Sequence, residues 1–207
     1  MKSAFFFSAA AVAALSLAAC SKPASTTATD TTTAAADTAG AAVNKAQDAT
    51  GAAVGEASAN TLGSHDTGAF VSNASQSDMY EIQAAQIAEK RSKNADIKAF
   101  AKMMVKDHTA TSKAMGPLAQ AAGQTPADKL DQRRQGFIDN LNQASDADFD
   151  KVYVDQQVAA HKEALDLMQG YAKDGSDAGL KGAAAKTAPT VQMHLDKING
   201  IQAAMKK

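Results

Sequence analysis

From Phe70 onward, apolar residues recur at the three-and-four spacing of an amphipathic helix, in four successive segments. The first spans about residues 67 to 92 and turns Phe70, Val71, Ala74, Ile82, Ala85 and Ala88 inward. The second follows Asn94, a good N-cap residue, with Ile97, Phe100, Ala101, Met104 and Val105. The third is introduced by Ser145, with Asp148 and Phe149 behind it, and carries Val154, Val158, Leu165 and Met168 up to DGSD at 174–177. The fourth has the cleanest stripe: Ala184, Thr187, Val191, His194, Ile198, Ile201 and Met205. There is no Asn-Gly hairpin signal and no sustained period-two alternation, so strands have no support. The expected fold class is all-α.

The connections near residues 93 and 175 are very short. The one between the second and third segments is long. It is broken by Gly123 and Pro126 and contains Leu130, Phe137, Ile138 and Leu141, which predict one short helix. Short, long, short is the connection order of a ferritin-like four-helix bundle, here with an extra helix in the crossover. An ordinary bundle with a fifth helix on its side is the alternative. Pro117 predicts an end or kink near Met115, and Pro189 a kink in the fourth helix.

Ahead of this domain, assigned to 67–207, lie two segments of different character. Residues 1–19 read as an export signal: Lys2, a short apolar run, then Leu17-Ala18-Ala19 before Cys20. The arrangement resembles a bacterial lipoprotein signal, which implies lipidation at Cys20, an exported chain and a membrane attachment that does not span the bilayer. Ser21 resembles an outer-membrane address, placing the chain at the periplasmic face of the outer membrane. Residues 20–66 lack aromatics and nearly all large aliphatics, and are expected to form a disordered tether. His65 falls there and reads as a solvated linker histidine. Cys20 is the only cysteine, so no intramolecular disulfide can form. With 21 basic and 22 acidic residues and no tryptophan, the chain lacks the basic, aromatic surface that a nucleic-acid partner needs.

Three of the four stripes contain a histidine: His108, His161 and His194. Each lies near the middle of its helix, as does Glu81 in the first. At about 1.5 Å rise per residue, all four should share one layer of the bundle, whichever way each helix runs. Three imidazoles and a carboxylate in a helical core form a plausible site for one transition metal, with Fe, Zn or Cu as candidates. Asp107, Asp155 and Glu163 are nearby carboxylates that could ligate, support the ligands or simply be solvated. Met104, one turn before His108, would suit Cu(I), although methionine at helical spacing is more often core filler.

FV at 70–71, Glu81, FAKMMVKDHT at 100–109, FDKVYV at 149–154, His161 and AKTAPTVQMHL at 185–195 resemble the bacterial domain-of-unknown-function family 4142. The resemblance covers residues 69 to about 203 and implies a ferritin-like bundle, often exported or lipid-anchored, with a histidine–carboxylate cluster. It implies no known activity. The Glu-x-x-His pairs of di-iron bundles are absent, because Val105, Val158 and Val191 stand three residues before the histidines. Two functional expectations follow. One is a membrane-tethered metal-binding bundle serving metal handling or envelope stress protection. The other is a non-catalytic envelope structural or interaction module whose histidines are structural. No phosphate loop, catalytic cysteine or nucleophile elbow supports another enzyme class.

Overall fold

The computed structural model describes residues 29–206. The signal segment and Cys20 lie outside the described residues. The described residues form six α-helices: α1 (Thr29–Asn60), α2 (Thr67–Arg91), α3 (Ala95–Ala121), α4 (Gln132–Gln143), α5 (Phe149–Asp174) and α6 (Ala178–Ala204), with a 3₁₀ turn at Leu62–Ser64. The described residues contain no strand.

Local chemistry sets the helix starts. Asp66, Asn94, Asp131 and Asp177 each accept a hydrogen bond from a backbone N–H of the first turn that they precede. Ser145 does not cap α5 directly. Its Oγ accepts from Asp148 N at 3.2 Å and holds a turn that leads into a helix beginning at Phe149. Both prolines are accommodated without a break: α3 runs through Pro117 and α6 through Pro189.

The four long helices after α1 form a closed ring of neighbours, α2 on α3, α3 on α6, α6 on α5 and α5 on α2. Their core divides into two apolar blocks. One contains Tyr80, Ile97, Phe100, Met104, Phe149, Tyr153 and Ile198, and is joined by Phe137, Ile138 and Leu141 of α4. The other contains Phe70, Val71, Met115, Leu167, Tyr171, Leu180 and Val191, with Phe70 and Tyr171 stacked at 3.9 Å. His108 lies between Met104 and Met115, His161 between Val154 and Leu167, and His194 between Val191 and Ile198. A polar layer therefore separates the blocks.

Residues 29–60 depart from the expected tether. They form α1, which packs on α5 and α4. The small residues that suggested disorder are what allow the approach. A Cβ on Gly51 would come within 2.8 Å of Phe137 Cε1, and one on Gly55 would overlap the Glu163 carboxylate. Polar groups complete the seam: Asp48 accepts from Asn140 Nδ2 and Gln156 Nε2, each at 2.7 Å. Gly55→Leu should lift α1 off its seat. Hydrogen exchange would then show at least ~10-fold lost protection in α1 with α2–α6 unchanged; undiminished protection in α1 would refute this packing.

Candidate metal centre

The layer rule brings three histidines from three helices to one place. His108 (α3), His161 (α5) and His194 (α6) are buried, and their ring centroids are 5.5–5.9 Å apart. One nitrogen from each lies within 4.8 Å of the others. Each ring is anchored through its other side. His108 Nδ1 lies 2.8 Å from Asp78 Oδ1, His161 Nδ1 2.8 Å from the Gln157 carbonyl, and His194 Nε2 3.1 Å from Asp107 Oδ2. The remaining nitrogens, His108 Nε2, His161 Nε2 and His194 Nδ1, are buried and have no hydrogen-bond partner.

That division is what a metal site requires. A ligating histidine usually donates its second ring N–H to a carboxylate or a carbonyl, which fixes the tautomer and aims the free nitrogen. All three rings here have such a partner. Left unpaired, each buried nitrogen costs roughly 1–3 kcal/mol. A tetrahedral ion with bonds of about 2.1 Å needs ligand nitrogens about 3.4 Å apart, so inward movements below ~1 Å per ring suffice.

Electrostatics favour free nitrogens on two of the rings. Burial, with the neighbouring His108, holds His161 down at about 3, so it is neutral under ordinary conditions. Burial also lowers His194, partly offset by Asp107. His108 is raised: burial opposes its charge, but the Asp78 hydrogen bond and the nearby Glu81 outweigh that. Protons therefore compete with an ion chiefly at His108.

The carboxylates divide. Glu81 is fully enclosed beside His161, with Oε1 3.7 Å from Nδ1 and Oε2 unpartnered, but it is not among the three groups whose ligand atoms converge. Asp107 orients His194. Asp155 lies away from the layer, accepting from Gln202 at 2.9 Å and pairing with Lys151. Glu163 faces α4 and pairs with Arg133 and Arg134. Met104 sits in an apolar block. Sequence reasoning passed over Asp78, which orients His108 and also accepts from Ser112 Oγ at 2.9 Å. Its signal was available, because it precedes Glu81 by three residues and so shares that face of the helix. Tyr153 and Gln157, two turns and one turn before His161, were also passed over; their buried side-chain polar atoms are unpaired as well.

Burial raises Glu81 from 4.5 to about 7, against the pull of His108. The folded state thus binds an extra proton between these values, and its stability should fall as pH rises through them. In chelator-treated protein, Glu81→Gln should be near-neutral at pH ~4.5 and stabilising by on the order of 2–3 kcal/mol at pH ~8. Urea unfolding of both proteins across that range checks this, and a pH-independent difference would contradict it.

The family model described as "Domain of unknown function (DUF4142)" matches residues 51–201, and the chain belongs to that family. The match begins within α1, inside the segment that composition assigned to a tether. No curated protein and no solved structure matches the chain.

Proposed function

We propose that this protein is a metal-binding helical bundle in which His108, His161 and His194 hold one transition-metal ion. The observation that carries the reading is the set of three buried, unpartnered imidazole nitrogens, each on a ring fixed from its other side. Buried polar groups are normally hydrogen-bonded, so three orphaned imidazole nitrogens facing one point favour ligands over packing histidines. A three-imidazole set suits Zn, Cu or Fe and leaves a fourth position. Glu81, buried beside His161 with Oε2 unpartnered, is the proposed fourth ligand.

The ferritin-like bundle belongs to this reading. It is supported by short links at 92–94 and 175–177 and a long crossover at 122–148 carrying α4. The proposed setting is an exported chain lipidated at Cys20 and held at the periplasmic face of the outer membrane, supported by the sequence around Cys20. In that setting the ion would serve metal handling or envelope stress protection. No helix among the described residues is long and apolar enough to cross a membrane.

The test is the metal content of the chain from Ser21 onward, purified without a histidine tag or chelator, beside His108→Ala. The reading expects close to one ion per chain, lost in the variant with helix content unchanged. No ion in the purified protein, even after addition of Fe, Cu, Zn or Mn, would reject it.

A further inference from the structure

A second site opens on the α2–α3 seam. A cavity of about 230 Å³ lies between α2, α3, the first turn of α6 and the start of the crossover, walled mainly by Val71, Met79, Ile82, Met115, Ala119 and Leu180. Protein interiors are packed at close to crystal density, so a space of this size along a helix seam is uncommon. Gly116 helps to keep it open. A Cβ there would meet nothing within 4 Å, although it lies inside the long helix α3, where glycine is disfavoured.

One part of the wall is polar. Asp78, itself 6 % exposed, is the only charged residue in the wall. Its Oδ1 faces His108 Nδ1 and its Oδ2 accepts from Ser112 Oγ. A carboxylate has about four acceptor positions, so about half of its capacity is unused. The serine at the other side, Ser75, is engaged: its Oγ donates to the Val71 carbonyl at 2.8 Å and accepts from Ala127 N at 2.9 Å. The wall thus combines an apolar chamber with one anionic end and no cation.

We propose that this cavity binds a small molecule with an apolar body and a single cationic amine head, the head seated on Asp78. Scaling from an apolar cavity of about 150 Å³ that holds benzene, the space takes about nine non-hydrogen atoms. The site does not depend on the metal reading, but the two share Asp78, so an occupant would be felt at His108.

The test is calorimetric titration of the full chain from Ser21 at pH ~8 with benzylamine and with benzyl alcohol, its neutral isostere. One saturable site is expected, with the amine at least ~10-fold tighter because its hydrogen bond is charge-assisted. The amine should also shift the His108 ring resonances. Gly116→Phe, whose ring would fill the cavity, should weaken both probes at least ~10-fold, and Gly116→Leu provides a smaller plug if the first variant folds poorly. Absence of saturable binding, equal affinity for the two probes, or unchanged affinity in a folded plugged variant would each overturn the proposal.

Discussion

Replacing His161 with leucine should abolish metal binding and leave the metal-free protein at least as stable as the parent. The ring is 1 % exposed and its Nε2 has no partner. Its Nδ1 meets the Gln157 carbonyl four residues earlier on the same helix. Removing the imidazole therefore strips no other element of a hydrogen bond. Leucine of similar size would pack beside Phe100, whose ring centroid lies 5.9 Å from that of His161. Relief of a buried unpaired nitrogen is worth roughly 1–3 kcal/mol, which offsets any imperfect fit. Metal affinity should fall by more than ~100-fold, since losing even a partner that only orients a ligand costs about 10–100-fold. Thermal unfolding with and without chelator separates the two effects. A loss of ~3 kcal/mol in metal-free protein would instead make His161 a packing residue.

Glu163→Ala should produce the largest loss of stability, about 3–5 kcal/mol. Glu163 Oε1 accepts from Nη2 of both Arg133 and Arg134 at 2.7 Å, and its Oε2 accepts from Arg133 Nη1 at 2.8 Å. The Arg134 side chain is 4 % exposed, and burial already works against its charge. Without Glu163, that guanidinium keeps only Asp131 as a close anionic partner, through Nη1 at 2.6 Å. The cost comes from the stranded charge, so removing it as well should restore stability. A double variant, Glu163→Met with Arg134→Met, is expected to recover most of the loss. Urea midpoints of parent, single and double variants measure this. A single-variant cost below ~1 kcal/mol would show that the pairs are effectively solvated.

The helical stripes and the mid-helix histidines were legible because both follow from a fixed rise and turn per residue. Layer height can be counted along each helix without knowing its direction, which is how His108, His161 and His194 could be grouped. Angular position carries information that the count ignores. Glu163 is two residues after His161 and hence about 200° around the helix, facing α4. Asp155 is six residues before it, about 240° around, and lies towards solvent. Asp107 is about 100° from His108 and orients the ring of His194 on α6, a role that depends on helix–helix contacts. The α1 segment was misjudged for another reason. Apolar content measures burial by large side chains, whereas α1 gains its contact by bringing backbone close at Gly51 and Gly55 and by bonding through Asp48. Such packing leaves little trace in hydropathy.

Three particular nitrogens are the proposed ligands, and the three opposite nitrogens of the same rings are not. Nitrogen NMR of the histidine rings, recorded while Zn²⁺ is added to chelator-stripped protein as a probe, addresses this directly. The predicted result is a shift to the metal-bound range, saturating at one equivalent, for His108 Nε2, His161 Nε2 and His194 Nδ1, with the Asp78-, Gln157- and Asp107-facing nitrogens remaining protonated. Ring spectra unchanged by zinc, or a response confined to exposed His65, would rule out these ligands.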